Sequence, residues 1–199
     1  MTQDWTGNLQ STHVNLGSRN FAVKERQNED FYATHPSALE ALLTVEVFDK
    51  NIPIWECACG AGHLSEVLIQ KGYKVESSDL YDRGYGKCDV DFLDIGNTFW
   101  NGNIITNPPF KYSTLFIEKA LEIIEENNKA AFLLPTRYLE GVARGKIFKK
   151  YPPLIVYVPS RRFKCALGGK FGKMNGNALS FAWFIWWKGF NGITSLKWL

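Results

Sequence analysis

The chain has 199 residues and a mass of 22.7 kDa, with 45% hydrophobic and 22% charged residues and a formal net charge of +3. That composition describes one soluble globular domain over 1–199, and it excludes a membrane-spanning chain because no apolar run nears the roughly 20 residues a span needs. Charge is lopsided: all 20 Asp and Glu lie at or before Glu140 with 12 Lys and Arg, a net of −8, while the last 59 residues carry the other 11 Lys and Arg and no acid. Such an asymmetry is the footprint of a face that tracks a polyanion, with a merely solvated basic surface as the plain alternative.

In chain order, residues 1–27 read as a mobile arm whose polar start lacks the apolar core of a signal peptide, so a cytoplasmic protein is expected. Leu39, Leu42, Leu43 and Val47 have helical spacing over 36–48, with Pro36 in the first turn. A short strand at 53–56 leads into a helix over 62–71 stopped by Gly72, and a second strand follows at 74–79. Further strands are expected at 103–106, 129–134, 154–158 and 179–187, with helices at 114–127 and 141–150. Leu115, Ile117, Leu121 and Ile124 form the apolar stripe of the first of these helices. Alternating strands and amphipathic helices argue an α/β sheet covered on both faces, and two closing strands with no helix between them suit one reversed strand at or near its edge.

Three places carry chemistry. The string Glu56-Cys57-Ala58-Cys59-Gly60-Ala61-Gly62 joins a strand to a helix, and its glycines let a ligand approach the backbone. Ser65 stands where a dinucleotide fingerprint would have its third glycine, and the acid at Glu56 suits a cationic ligand rather than a pyrophosphate. A tight strand-to-helix turn is the simpler reading of that loop. Asp79 ends the second strand, where an acid can accept from both hydroxyls of a ribose, and Leu80 or Tyr81 is placed to cover a base. Asp91-Phe92 would meet the base's amino edge and ring; Asp89 and Asp94 compete with Asp91, and each acid would serve equally as a loop residue or helix cap. Asn107-Pro108-Pro109-Phe110 closes an apolar strand. The Asn oxygen and the first proline's carbonyl can hold and polarise a planar amine, and Phe110 offers a stacking face; taken alone, the string is also an ordinary Pro-Pro strand end.

In this order the motifs resemble those of class I S-adenosylmethionine-dependent methyltransferases of the N-P-P-F/Y amino-methylating type, similar to small, often phage-borne, adenine-specific DNA methyltransferases. The resemblance spans 28–187 and takes in Asp30-Phe31-Tyr32-Ala33-Thr34-His35-Pro36 upstream. It implies a Rossmann-like α/β fold: a seven-stranded, mostly parallel sheet with an antiparallel last strand and helices on both faces. It implies S-adenosyl-L-methionine as cofactor, contacted by Tyr32, Thr34, Glu56, Cys57, Ala58, Gly60, Gly62, Asp79, Leu80, Asp91, Phe92 and Asn107. Asn107, Pro108, Pro109 and Phe110 would then be catalytic, in direct attack by an amine without a cysteine nucleophile, and no metal is expected. Asn at the head of the motif is typical of adenine enzymes; Phe110 stands where Tyr or Trp is usual.

The basic, Gly-rich stretch 160–177 is expected to be the nucleic-acid clamp, through Arg161, Arg162, Phe163, Lys164, Lys170, Phe171 and Lys173; a plain hairpin connection is the alternative. DNA is favoured over RNA as partner, with no membrane. The length leaves no room for a separate recognition domain, so recognition is short, loose, or supplied by another protein or a homodimer. Methylation of RNA adenine or of a protein glutamine amide, and a catalytically silent nucleic-acid-binding module, are the competing readings.

Overall fold

The computed structural model describes residues 32–96, 98–167 and 179–199. Thirteen elements follow one another: β1 (Tyr32–Thr34), α1 (Ser37–Leu43), β2 (Ile54–Glu56), α2 (His63–Gln70), β3 (Val75–Ser77), β4 (Asn103–Thr106), α3 (Ser113–Ile123), β5 (Lys129–Pro135), α4 (Val142–Lys150), β6 (Ile155–Val158), β7 (Cys165–Leu167), β8 (Phe181–Trp187) and β9 (Ser195–Trp198). Short 3-10 turns at Phe92–Asp94 and Thr136–Leu139 lie between them. The main sheet has the order β3-β2-β4-β5-β8-β6-β9, and β8 is the one strand that runs against its neighbours. This is the expected Rossmann-like sheet.

Both faces are covered, which is why the central strands β4, β5 and β8 are buried along nearly their whole length and carry continuous apolar runs. Ile104, Phe132, Leu134, Phe184 and Trp186 project to the side of Phe116, Ile117, Leu121 and Ile147, on α3 and α4. Ile105, Leu133, Phe181, Trp183 and Ile185 project to the side of Leu39, Leu42, Leu64, Val67 and Leu68, on α1 and α2. Tryptophan indoles join the layers with polar ends satisfied. Trp183 Nε1 donates to the Ala38 carbonyl at 2.8 Å and Trp186 Nε1 to the Tyr151 carbonyl at 2.9 Å.

Three departures from the sequence expectation have local causes. Helix α1 stops at Leu43, not at 48: the Thr44 hydroxyl and N–H both turn back to the Ala41 carbonyl, leaving Val47 exposed and Phe48 buried under the Lys129 ammonium. On α3 the buried face is Phe116, Ile117, Ala120, Leu121 and Ile123, so Leu115 is half-exposed. The strand at Phe181–Trp187 is not the last, because β9 follows and pairs parallel with β6, leaving the reversed strand third from that edge.

A second, two-stranded sheet was not anticipated: β1 pairs antiparallel with β7, Tyr32 opposite Leu167 and Thr34 opposite Cys165. Replacing Trp183 by Phe should cost about 2–3 kcal/mol, from the lost indole volume and the stranded Ala38 carbonyl, read as a lower urea midpoint with unchanged slope.

Candidate active site

Strand β2 delivers Glu56 to the carboxyl edge of the sheet, and the chain turns through Gly60 and Gly62 into α2 with both glycines at positive φ, +54° and +82°. A Cβ on Gly62 would lie 2.5 Å from the Tyr85 ring. The space the glycine leaves is thus filled by Tyr85, whose loop folds back through the bonds Asp79 N to Lys87 O and Lys87 N to Ser77 O. Glu56 is 2% exposed and accepts a short hydrogen bond from the Ser65 hydroxyl, which also lies 2.6 Å from the Ser77 hydroxyl. Burial pushes the Glu56 carboxyl up to about 8, against the Ser65 hydrogen bonds and with a smaller push from Asp79. The acid is therefore largely protonated at neutral pH, and a cation arriving beside it would favour its ionised form.

Asp79 is stitched to the glycine loop. Its Oδ2 accepts from Gly60 N at 2.8 Å and its Oδ1 from Tyr81 N at 2.9 Å, which leaves each oxygen a further lone pair. Burial raises the Cys57 thiol well above its ordinary value and pushes Cys59 up to about 12, so both stay protonated at neutral pH. Ala58 is half-buried and Leu80 exposed beside Asp79.

Asn107 follows β4 directly. Its Nδ2 donates to the Tyr32 carbonyl at 2.7 Å, and because a carbonyl only accepts, this bond fixes which end of the amide is the nitrogen. Its Oδ1 is buried and has no hydrogen-bond partner among the described residues. Beyond it the turn is pinned: Pro109 O accepts from Tyr112 N, and Phe110 O accepts from the Ser113 and Tyr138 hydroxyls, each at 2.8 Å. Among the described residues no donor reaches the carbonyl of Pro108. The Phe110 ring is half-buried against Tyr32 at 5.3 Å and Phe181 at 5.5 Å between centroids.

The β1–β7 ladder brings the basic stretch to this place. His35 N donates to Lys164 O at 2.9 Å, and Arg161, Arg162 and Lys164 are exposed on the stem. Two of the expected assignments, Phe92 and Phe163, are corrected. Phe92 is 1% exposed, stacked on Phe116 at 5.0 Å and edge-on to Trp55 at 5.4 Å, so its ring belongs to the core rather than to a bound base. Phe163 is 7% exposed and packs in the core with Leu133 and Trp183, so it offers no wedge. Thr34 is buried, and its hydroxyl, like the Thr106 hydroxyl and Asn107 Oδ1, has no hydrogen-bond partner among the described residues. Asp91 is exposed and caps the 3-10 turn through Leu93 N at 2.9 Å, with its second oxygen open. Lys170, Phe171 and Lys173 lie outside the described residues.

Ser65, Ser77 and Tyr85 were missed. The aromatic between Gly84 and Gly86 was the available signal for Tyr85; Ser65 reaches Glu56 from the first turn of α2, and Ser77, opposite Glu56 in the β2–β3 ladder, joins it only through the Ser65 hydroxyl. Among the described residues no three His, Cys, Asp or Glu side chains group to hold a metal, and no helix is long and apolar enough to cross a membrane.

No protein-family model matches the chain, and no curated protein is similar to it in sequence. Solved structures share its fold. A Listeria monocytogenes protein assigned to the class I S-adenosylmethionine-dependent methyltransferases is 15% identical, with 82% of this chain and 62% of that one covered, at a TM-score of 0.53. The methyltransferase subunit of a type I restriction-modification system from Streptococcus thermophilus is 16% identical, with 81% and 46% covered, at a TM-score of 0.56. The chain thus spans about half to three-fifths of the length of these two. A Lactococcus lactis protein assigned as a haemolysin is 13% identical, with 81% and 91% covered, at a TM-score of 0.57. The fold is that of class I methyltransferases, and by itself it selects no substrate.

Two measurements test the site as described. Glu56 has a raised folded-state pKa, so its contribution to stability is fully present below its unfolded value near 4.5 and is lost as pH rises toward 8. Glu56→Gln should therefore gain on the native protein between pH 5 and pH 8, by on the order of a few kcal/mol in urea unfolding. Phe92→Ala should cost about 3–5 kcal/mol of stability by opening a core cavity, with nucleoside affinity of the still-folded fraction unchanged in titration calorimetry.

Proposed function

We propose that this protein transfers a methyl group from S-adenosyl-L-methionine to the exocyclic 6-amino group of adenine in DNA. The observation that carries the reading is the buried, unpartnered Asn107 Oδ1, held in place by the bond from Nδ2 to Tyr32. An unsatisfied buried acceptor costs about 1–3 kcal/mol, and a site that keeps one has a donor to receive.

The residues present fit the cofactor. Glu56, buried with only the neutral donors of Ser65, suits a cationic group, and Asp79 keeps lone pairs for ribose hydroxyls beside a glycine turn. Bound there, the cofactor supplies an electrophilic methyl on a sulfonium centre. Asn107 Oδ1 and the Pro108 carbonyl would accept the two protons of the amine. That draws its lone pair out of the ring and stabilises the positive charge developing on nitrogen. The rigid Pro-Pro backbone and the bonds to Phe110 O from Ser113 and Tyr138 keep these acceptors from reorganising during the reaction. Phe110 serves as one wall of the target pocket, and a duplex target must leave the stack to reach it.

DNA, rather than a protein amide, is supported by the run of 11 cations without an acid after Glu140 and by the fastening of the Arg161–Lys164 stem to the strand that holds Asn107. The test is transfer of labelled methyl to unmethylated DNA, with RNA and a protein mixture in parallel, followed by nucleoside identification. N6-methylated adenine in DNA is expected, with Asn107→Ala lowering turnover about ten- to a thousandfold. Label confined to RNA or protein, or no transfer despite cofactor binding, would overturn the reading.

A further inference from the structure

The basic stem at 161–164 lies on the side of the sheet that carries α1 and α2, since Phe163 and Cys165 pack there. The opposite side, under α3 and α4, has its own rim at the same edge. The Thr136–Leu139 turn follows β5, next to β4 in the sheet, and Tyr138 is buried with its hydroxyl on Phe110 O at 2.8 Å. With Tyr138 turned inward, its neighbours Arg137 and Leu139 are exposed, Leu139 at 47%. Arg144 fixes this segment: its guanidinium lies 4.3 Å from the Tyr138 ring centroid and donates to Arg137 O at 2.6 Å and to Glu140 O at 2.9 Å. Val142, just beyond, is 85% exposed. From the other strand, Lys111 and Tyr112 directly follow the catalytic turn, with the ammonium 5.1 Å from the ring centroid and Tyr112 43% exposed.

We propose that Lys111, Tyr112, Arg137, Leu139 and Val142 form a second nucleic-acid rim, which grips the strand flanking the target on the side of Asn107 away from the basic stem. The proposal rests on the DNA reading above and adds where a duplex sits. Two cations beside one aromatic and two aliphatic side chains, clustered at the mouth of the site, match a phosphate backbone next to bases opened by removal of the target from the stack. Leu139 and Val142 present exposed aliphatic side chains at a hydrogen-bonded turn, and the base faces of an opened step are an apolar surface that would cover them. Glu140 is the one acid between Lys129 and the end of the chain, so the rim meets a polyanion with little opposing charge.

The test compares full-length protein with Lys111→Ala/Arg137→Ala and Leu139→Ala/Val142→Ala, each checked by thermal melting. Gln at the charged positions and Ser at the apolar ones serve as replacements for any variant that melts early. Binding of a fluorescent 20-base-pair DNA is followed against salt, and methyl transfer is measured on that duplex and on its single strand. Loss of the two cations should make the plot of log affinity against log salt shallower by about 1.8, at 0.9 per phosphate contact. Loss of the two aliphatic side chains should slow methylation of the duplex at least about tenfold and that of the single strand less than about twofold. An unchanged salt slope, equal slowing on both substrates, or no duplex binding by the native protein at low salt overturns the rim. Duplex binding with the rim-dependent slope but no methyl transfer upholds the rim and removes the adenine reaction.

Discussion

Strand β8 runs antiparallel to both β5 and β6, so the chain that leaves β6 at Val158 must return at Phe181 on the same edge of the sheet. That edge is where β2 ends in Glu56 and β4 in Thr106, one residue before Asn107. A parallel β8 would have needed a crossover connection and would have carried the basic stretch away from the site. The reversal leaves it on the spot, and β7 uses its first residues to pair with β1 and so to hold the strand whose Tyr32 carbonyl orients Asn107. The amide that would polarise a substrate amine and the segment that would bind its backbone are therefore parts of one hydrogen-bonded assembly.

Two buried glutamates show which acidic group the fold satisfies and which it holds for a ligand. Glu46 takes the Lys129 ammonium at 2.5 Å and the Tyr157 hydroxyl at 2.8 Å, a charge and a donor that answer its burial, and Tyr157 is raised in turn, by burial first and then because its proton serves that carboxylate. Glu56 is more deeply buried and takes its hydrogen bonds from the neutral Ser65, with no salt-bridging cation among the described residues. Nothing in the packing required this difference, since a Lys or Arg near Glu56 would have stabilised it. With Asn107 Oδ1 also unmet, the candidate site concentrates groups whose partners the described residues do not provide, the pattern expected where stability is given up for binding and catalysis.

The sheet was legible because its central strands carry apolar runs that end in breakers: Ile104-Ile105 in Asn103–Thr106 runs into Pro108, and Phe181–Trp187 into Gly189. What escaped notice was short or set by distant pairing. β9 is only four residues long and exposed along its length, and β1 and β7 are three-residue ladders joined across more than a hundred residues. Aromatics misled in the same way. Phe92 and Phe163 stand beside charged residues and read as ligand surfaces, yet burial is decided by which faces the sheet presents, and both turn inward. Leu115 shows the converse, since one step of helix register moved it to the surface and put Phe116 in its place. The chemistry-bearing polar residues were easier to place, because Glu56, Asp79 and Asn107 each follow a strand and strand ends were the surest boundaries in the chain.

Fold likeness alone leaves substrate open, as the shared architecture of a restriction-modification subunit and a protein assigned as a haemolysin makes plain. The chemistry of the edge narrows it. A protein glutamine side chain would need a groove for the polypeptide on either side, and flanking cations would serve it only if its sequence were acidic. Here the cations stand on both faces of the sheet around Asn107, Arg161 and Lys164 on one and Lys111 and Arg137 on the other, an arrangement that suits a polyanion passing across the mouth. The Tyr85 ring, seated on Gly62, lies over the glycine turn that follows Glu56 at the same edge. A base entering between the two rims would therefore meet Asn107 from the open side, with the ligand end of the site already walled by the loop that carries Asp79.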